Sequence, residues 1–464
     1  MPLVRRVKAA AVLTAVLTVL TTVCALPAAA DPTVDECVSG SRTVSRYIVL
    51  FDRGTPTVEA QTEITAACGV TTVYYPEIAV AVATSADTRF DDRIGLDRAF
   101  SAQRATSRKR KSEETNSSVR RATTVPAADR SDEQWDMAMI NADAAHEVTT
   151  GSRNIVVGVL DSGIDATHPD LKEAVDPALS AGCLTGRPDT TPAAWAPKNS
   201  PHGTHVAGTI AAADDGKGIT GVAPGVRLAS VRVVDDDGRI YPEYAMCGFM
   251  WAAEKRMTVT NSSYFVDPWL FTCTKGGQRV VREALTRAVA YATAQRVVNV
   301  AAATNENVDM ANPPDSSCRV LPAGLRDVLA VSSVGVDRLK AGYSAYGLGV
   351  IDVTAPGGER LRDNGDPDRG CVLSTVPGGY ARYCGTSMAA PHVSGVLALL
   401  ASTHPGASPS TLTRLLNNQS QTVPCPADYD LNGTGTQDAY CAGYAPYNGF
   451  YGHGLVDALA AVSR

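Results

Sequence analysis

The sequence predicts an α/β fold, a doubly wound and mostly parallel sheet, preceded by a small α+β unit. From about Trp135 onward, short apolar runs with strand character alternate with helical stretches, which is typical of a parallel sheet covered by helices on both faces. At ~330 residues, this main region is large enough for one sizeable core. The predicted strands are Ile155 to Leu160, Val226 to Val234, Met257 to Ser262, Val297 to Ala303, Val328 to Val334 and Val350 to Thr354. The predicted helices are His205 to Ala213, Tyr244 to Lys255, Arg279 to Ala294 and Ala389 to Ser402, with a short helix after Ser408 and Pro409.

The smaller unit lies at roughly residues 40 to 90. Two runs with strand character, Tyr47 to Phe51 and Ile78 to Val82, flank a stretch from Val58 to Cys68 that is compatible with a helix. Such a unit is too small to be the main body. We therefore expect it to have a separate role in folding or inhibition.

The first 30 residues are predicted to be a secretory signal peptide. Three basic residues precede an uncharged run from Ala9 to about Val23, and Ala28 and Ala30 stand where small residues are expected before a cleavage site. A membrane anchor is the alternative, but the run is shorter than the ~20 apolar residues that a spanning helix needs. Cys24 fits a lipid-attachment signal poorly, because the bulky Val23 precedes it. We expect a secreted, extracellular protein without a membrane anchor.

Ten cysteines remain after the signal peptide, and an exported chain meets an oxidising environment, so we expect disulfides. Sequence alone leaves their connectivity open. Pairing of neighbours is the working hypothesis, favoured most for Cys371 with Cys384 and for Cys425 with Cys441, since each pair closes a short polar loop. No Cys-x-x-Cys pair occurs in the sequence, which argues against a zinc ribbon or a thiol redox enzyme.

Residues 101 to 131 form a predicted linker that is rich in Ser, Thr, Arg and Lys and contains a basic run from Arg108 to Lys111. A nucleic-acid arm is the alternative, but a tether open to proteolysis suits an exported chain better. Residues 132 to 464 hold 34 acidic and 25 basic side chains, a net charge of −9. Nucleic acid is therefore not an expected partner of the main region.

Three segments carry candidate catalytic residues. Asp161 ends a predicted buried strand, at the edge where ligands gather in open α/β sheets. His202 leads into a helix of small residues and supplies a base, which needs a carboxylate to fix its tautomer. Ser387 falls at a predicted helix N-terminus, where N–H groups stabilise the negative charge that its attack generates. Each has a plain structural alternative, such as an N-capping serine, but together they supply a nucleophile, a base and an orienting carboxylate.

His205 suggests a metal site shared with His202. Their spacing differs from the His-Glu-x-x-His of zinc peptidases, in which the glutamate acts as the base. A packed, hydrogen-bonded structural histidine is the better interpretation of His205.

The three segments closely resemble the Asp, His and Ser motifs of the subtilisin-like serine peptidases, and the resemblance covers roughly residues 135 to 464. It implies a serine endopeptidase in which Ser387 attacks the scissile carbonyl. His202 takes and later returns the proton, and Asp161 orients His202. Expected partners are protein or peptide substrates; no cofactor is required, and the enzyme is expected to be a monomer.

The resemblance also implies a domain organisation. Residues 1–30 are the signal peptide, 31–100 an inhibitor-type propeptide, 101–131 the linker and 132–464 the peptidase domain. The propeptide would inhibit its own enzyme until autoprocessing between Phe100 and Ser131 removes it. Cys37 and Cys68 are not part of the usual propeptide pattern and leave open a disulfide-stabilised variant.

Asn305 follows the strand-like run from Val300 to Ala303 and matches the asparagine of the family's oxyanion hole. A bare asparagine at a strand end is more often a turn residue. The resemblance implies that its amide and the backbone N–H of Ser387 face the developing negative charge.

The substrate pocket departs from the family pattern. A Ser-Leu-Gly strand becomes Ser263-Tyr264-Phe265, and glycines that flank the asparagine motif become Thr304 and Asn307. The larger side chains predict a pocket that prefers small or modest side chains before the cleaved bond.

Residues 428 to 438 resemble a calcium loop, with Asp428, Asp430, Asn432 and Asp438 as candidate ligands for a structural calcium ion. The loop lacks a closing glutamate, and a polar loop between Cys425 and Cys441 is the alternative. Two other functional classes also stay open: an exported peptide-binding protein that has lost activity, and a zinc peptidase.

Overall fold

The computed structural model describes residues 37, 44–107, 123–124, 128–360 and 370–463. The predicted signal peptide and the basic run from Arg108 to Lys111 lie outside these residues. The chain divides into two units, residues 1–38 and 39–464, and only Cys37 of the first unit is described. All helices and strands of the described residues belong to the second unit.

Residues 45 to 107 form an α+β unit on a four-stranded antiparallel sheet of β1 (Ser45–Leu50), β2 (Val70–Tyr75), β3 (Val80–Ser85) and β4 (Ala99–Phe100). The strand order is β2-β3-β1-β4. Its helices are α1 (Thr57–Ala66), α2 (Phe90–Ile94) and α3 (Ala102–Ser107). A two-residue strand, β5 (Thr123–Thr124), follows in the linker region.

The sequence predicted only two of these strands. β2 was missed because it is an edge strand whose threonines break the apolar alternation, and four of its six residues keep some solvent exposure. The predicted strand at Ile78 begins only at Val80, since Ala79 has a φ of 51° in the turn that joins β2 to β3.

The main sheet has seven strands in the order β12-β11-β10-β9-β6-β8-β7, and every pairing is parallel. They are β6 (Val156–Asp161), β7 (Ala181–Gly182), β8 (Arg227–Arg232), β9 (Val259–Ser262), β10 (Val298–Ala302), β11 (Val328–Val334) and β12 (Val353–Pro356). The predicted doubly wound, mostly parallel α/β fold is confirmed. The last strand starts three residues later than predicted, because Val350 and Ile351 donate backbone hydrogen bonds to Gly347 in a turn.

Helices cover both faces of this sheet. Along β6, Val157 and Val159 enter the core that contains α7 and α10, whereas Val156 and Leu160 enter the core that contains α8 and α9. The helices after the linker are α4 (Trp135–Met139), α5 (Ala142–His146), α6 (Pro192–Trp195), α7 (His202–Ala211), α8 (Pro242–Glu254), α9 (Gly276–Ala294), α10 (Thr386–Thr403), α11 (Pro409–Gln419) and α12 (Ala458–Val462). Within the described ranges, no helix combines the length and the apolar character needed to span a membrane.

Several helices begin earlier than the apolar pattern predicted. α7 starts at His202 and not at His205, and α10 starts at Thr386 and not at Ala389. Their first turns are not part of an apolar stripe, so hydrophobic periodicity could not find them. As a result, His202 and Ser387 lie within the first turns of their helices.

A hairpin of β13 (Val372–Val376) and β14 (Gly379–Tyr383) leads into α10, and β5 adds a third strand to it. A small hairpin of β15 (Gly443–Tyr444) and β16 (Tyr447–Asn448) lies near the C-terminus.

The expected pairing of neighbouring cysteines is confirmed for four disulfides: Cys183–Cys247, Cys273–Cys318, Cys371–Cys384 and Cys425–Cys441.

The N-terminal α+β unit packs on α8 and α9. Ile48, Leu50, Val80 and Val82 on one face of its sheet share a core with these helices. At the border, Arg287 Nη1 donates hydrogen bonds to the carbonyls of three residues of the unit: Phe51 (2.9 Å), Ile78 (3.1 Å) and Ala79 (3.4 Å). The unit is therefore docked through both apolar contacts and a guanidinium that satisfies its turn carbonyls.

Candidate active site

Asp161 is the last residue of β6, in the middle of the sheet, and only 1% of its side chain is exposed. The chain turns immediately after it. Gly163 has a φ of 102°, and a Cβ there would lie 2.6 Å from the carbonyl oxygen of Trp195, so only glycine fits. The carboxylate thus stands at the carboxyl end of a buried strand, where parallel sheets place their sites.

His202 Nδ1 lies 2.9 and 3.0 Å from the two carboxylate oxygens of Asp161. A carboxylate only accepts hydrogen bonds, so Nδ1 carries the proton and Nε2 is left as the basic nitrogen. The approach is close because residue 203 is glycine, where an added Cβ would lie 2.5 Å from the Gly163 carbonyl oxygen. Burial lowers the pKa of His202, but the charge and hydrogen bond of Asp161 raise it by more, so the net shift is upward.

Ser387 is the second residue of α10, and it exchanges two hydrogen bonds with Ser263. The Ser387 hydroxyl donates to the Ser263 carbonyl at 3.1 Å, and the Ser263 hydroxyl donates to the Ser387 carbonyl at 2.9 Å. Within the described residues, no hydrogen bond joins Ser387 to His202. Apo active sites often hold such bonds loosely, and a rotation about χ1 re-aims a serine hydroxyl.

Asn305 follows β10 and is fixed by Thr386. Its Oδ1 accepts hydrogen bonds from the Thr386 backbone N–H and hydroxyl, both at 2.9 Å. Because a backbone N–H can only donate, the atom facing it must be the oxygen, and the amide NH₂ points the other way. A Cβ placed on Gly385 would lie 3.2 Å from Asn305 Nδ2, 3.6 Å from Asn305 Oδ1, which is already engaged by Thr386, and 3.7 Å from the Ser387 backbone nitrogen. Two nitrogen donors therefore flank one point beside Gly385.

Thr304 and Asn307 stand where the resemblance in sequence predicts glycines, and both have backbone conformations that glycine adopts without strain. Their φ angles are 130° and 45°, in the half of conformational space that favours glycine. Thr304 is β-branched and buried, so this conformation costs about 1 to 3 kcal/mol. The surrounding hydrogen bonds, such as that from the Thr304 N–H to the Thr386 hydroxyl at 3.3 Å, hold it in place.

Of the three predicted pocket residues in the segment that follows β9, Ser263 contacts Ser387 through the two hydrogen bonds between them. Tyr264 is buried and Phe265 is half-buried, and both pack with the core between the sheet and α8 and α9. Burial raises the pKa of the Tyr264 hydroxyl, which stays neutral. The rings of Tyr264 and Phe265 therefore anchor the segment after β9 in the core.

His205 is a structural residue, as the sequence indicated. Its Nε2 lies 3.2 Å from the Val372 carbonyl and 3.1 Å from the Ala381 carbonyl, and its ring stacks on Tyr383 at 4.5 Å. Burial lowers the pKa of His205 to about 3, so the ring is neutral at physiological pH. It ties α7 to the hairpin that precedes Ser387.

Three of the four calcium candidates, the aspartates, accept hydrogen bonds from donors of their own loop, and the fourth, Asn432, donates one. Asp430 accepts from the N–H groups of Thr434 and Gly435, and Asp438 accepts from the Leu431 N–H and the Asn432 side chain. Asp428 accepts from the Asp430 N–H and from Gln437. Among the described residues, no group of three or more His, Cys, Asp or Glu side chains could hold a metal ion. In this arrangement N–H groups face the oxygens that calcium would need, and calcium binding stays a prediction.

Sequence reasoning missed two contributors to the site. Thr386 holds Asn305 and Thr304, and its position directly before Ser387 in the Gly-Thr-Ser motif was the available signal. The buried pair of His392 and Asp136, with Nε2 and Oδ2 3.0 Å apart, was also missed. Its partners are 256 residues apart, and neither belongs to a pattern that links them.

The chain matches the family model of the subtilase family over residues 152–454. Fervidolysin from Fervidobacterium pennivorans is 33% identical over 323 residues, which cover 66% of this chain and 42% of fervidolysin. Subtilisin NAT from Bacillus subtilis subsp. natto is 35% identical over 272 residues, which cover 58% of this chain and 61% of that protein. The matched part thus spans about half the length of these two relatives.

Among solved structures, the epidermin leader peptide processing serine protease EpiP from Staphylococcus aureus has a TM-score of 0.67 at 22% identity. The superposition covers 90% of this chain and 98% of EpiP, so it extends beyond the region that the family model matches. At this identity the likeness concerns the fold. Because the family model matches more than half of its residues, this chain belongs to the subtilase family.

Proposed function

We propose that this protein is a secreted serine endopeptidase that hydrolyses peptide bonds through an acyl-enzyme, with Asp161, His202 and Ser387 as its catalytic triad. One observation carries the proposal. The buried carboxylate of Asp161 sets the tautomer of His202, and Ser387 lies at the N-terminus of α10. The Ser387 backbone nitrogen and the side-chain nitrogen of Asn305 lie near the same point beside Gly385.

Each residue has a defined step. Ser387 Oγ attacks the carbonyl carbon of the substrate, and His202 Nε2 removes the hydroxyl proton and then gives it to the leaving amine. Asp161 stabilises the imidazolium that forms between these events. Water then attacks the acyl-enzyme with His202 again as base, which releases the acid product and restores Ser387.

The oxyanion of both tetrahedral intermediates would lie beside Gly385. There it would receive hydrogen bonds from Asn305 Nδ2 and from the Ser387 backbone N–H. The Oδ1 contacts with Thr386 hold the Asn305 amide in this orientation before substrate arrives, so little reorganisation is needed during the reaction.

The α+β unit of residues 45 to 107 is proposed to be the propeptide of a zymogen. Its sheet shares a core with α8 and α9, and the hydroxyl of Thr106 at its end lies 3.2 Å from that of Tyr241, next to the start of α8. The EpiP superposition, which extends past the peptidase region, supports a common arrangement of both parts. Self-cleavage between Phe100 and Ser131 would release the unit.

An extracellular location is supported by the predicted signal peptide and the four disulfides.

Ser387→Ala is expected to abolish both labelling by a fluorophosphonate probe and self-processing, because the nucleophile is lost. Gel fluorescence and intact mass of the secreted protein measure the two effects. Ser402→Ala, at the other end of α10, serves as the control and should keep both. Processing to the same length in Ser387→Ala would exclude self-cleavage, and unlabelled wild type would favour a peptide-binding protein without activity.

Asn305→Ala is expected to lower kcat by about 100- to 1,000-fold with little change in KM, since the lost donor acts mainly in the transition state. Asn305→Asp keeps the shape but places an oxygen where a donor is needed, so it should be at least as slow. Steady-state kinetics on a peptide substrate measure both variants. A kcat that stays at the wild-type level in Asn305→Ala would remove this residue from the oxyanion hole.

We expect kcat/KM to decrease at acid pH, with a midpoint above ~6.5, the ordinary pKa of a histidine side chain. His202 must be neutral to accept the proton, and Asp161 raises its pKa, so activity is lost as pH falls through that raised value. Asp161→Asn should shift the limb to lower pH and reduce kcat by about 10⁴-fold. A limb that does not move in Asp161→Asn would mean that another group controls it.

The pocket is proposed to favour small or modest side chains before the cleaved bond, because Thr304 places a side chain where the sequence resemblance predicts glycine, whereas the ring of Phe265 packs against the core. Thr304→Gly should widen the cleavage profile of a peptide library towards aromatic residues and, by relieving the positive φ, stabilise the fold by about 1 kcal/mol. Arg338→Gly relieves another positive φ, at 62°, on an exposed turn and should leave the profile unchanged. A wild-type profile dominated by large aromatic residues would reject the proposal.

A further inference from the structure

The first turn of α10 depends on side chains for part of its hydrogen bonding. Pro391 lies inside the helix and has no N–H, so the carbonyl of Ser387, four residues earlier, lacks its usual helical partner. The Ser263 hydroxyl takes that place at 2.9 Å. The next carbonyl, that of Met388, receives a side-chain bond from His392 Nδ1 at 2.8 Å. Side chains thus hold the carbonyl groups of the nucleophile and of the residue after it.

The orientation of His392 is set by Asp136. His392 Nε2 lies 3.0 Å from Asp136 Oδ2, and both side chains are 0% exposed. Since Nδ1 faces a carbonyl, which can only accept, Nδ1 must carry a proton. Asp136 therefore fixes the ring from the opposite side, and the ring transmits that constraint to the Met388 carbonyl.

Asp136 belongs to a short segment, Glu133–Asp136, in which all residues but Gln134 contact α10 or the hairpin that leads into it. Glu133 accepts from Arg382 Nη2 at 2.8 Å, and Trp135 Nε1 donates to the Cys371 carbonyl at 3.3 Å, both on the hairpin that leads into α10. Gln134 exchanges hydrogen bonds of 2.8 and 2.9 Å with the backbone of Thr220. We call these four residues the clasp.

The clasp begins two residues after Ser131, the end of the region in which self-processing is proposed. Because the cut would fall upstream, the clasp stays with the peptidase domain. Its contacts would then hold the N-terminal segment of the processed enzyme against α10, which carries Ser387, and against the hairpin that leads into α10.

We propose that Asp136 is a positioning residue for Ser387: it acts through the His392 ring and the Met388 carbonyl to fix the first turn of α10. The inference rests on the proposed function, since it assigns a role toward the same nucleophile. It differs from a purely structural ion pair in what it predicts. A structural pair affects only stability, whereas a positioning pair also affects the rate at which folded enzyme reacts.

Asp136→Ala in the full chain should lower kcat and the rate constant of fluorophosphonate labelling by about 10- to 100-fold, the cost of a small misplacement of a catalytic group, while KM changes little. Asp136→Asn should recover most of this loss, because its amide can donate to His392 Nε2 and hold the ring. Both are measured on folded protein, well below the Tm. Met137→Ala changes a buried neighbour on α4 that, within the described residues, forms no hydrogen bond with His392; it is the matched control and should lower Tm but not kcat.

The outcomes separate the two proposals. A lower Tm with wild-type kcat and labelling rate in Asp136→Ala would overturn the positioning role and leave the triad intact. A wild type that neither labels nor cleaves peptides would refute the proposed function and this role with it. If Asp136→Ala does not fold, Asp136→Glu provides the test. Its longer side chain should displace the His392 ring, so this variant should react with the probe more slowly than Asp136→Asn. Equal labelling rates for both variants and the wild type would overturn the positioning role.

Discussion

The site depends on one hydrogen-bonded pair, that between the buried carboxylate of Asp161 and Nδ1 of His202. It decides which nitrogen of the imidazole is basic, and it outweighs the burial that would otherwise lower the pKa of His202. Glycines at 163 and 203 leave room for the pair, since a Cβ at either position would meet backbone atoms at 2.6 and 2.5 Å, respectively. Gly203 lets the first turn of α7 contact the turn that follows β6, and Gly163 lets that turn pass the Trp195 carbonyl.

The serine side of the site is organised differently. Pro391 interrupts the hydrogen-bond ladder of α10 one turn after Ser387, and side chains replace or add to it: Ser263 and, through His392 of the same helix, Asp136. A helix start that is supported in this way can be held in one position by its surroundings. The strained Thr304 fits the same picture, because its conformation persists only where neighbours such as Thr386 over-determine it.

Much of the fold was predictable because the sheet is buried on both faces, so its strands stand out as continuous apolar runs. The pairing of neighbouring cysteines was also anticipated. β2 escaped because edge strands carry polar residues, and the start of α10 escaped because its first turn is not part of an apolar stripe. The positive φ of Thr304 and the contact of Asp136 with His392 could not be inferred, since the first is imposed by tertiary packing and the second joins residues far apart in the chain.

The most direct test of the central claim is a crystal structure of the protein after reaction with a peptidyl phosphonate, whose phosphoryl oxygen mimics the oxyanion. We predict a covalent bond to Ser387 Oγ, with that oxygen beside Gly385 and within hydrogen-bond distance of both Asn305 Nδ2 and the Ser387 backbone nitrogen, and with His202 still paired to Asp161. An unmodified Ser387, or an adduct whose oxygen points away from both donors, would contradict the claim.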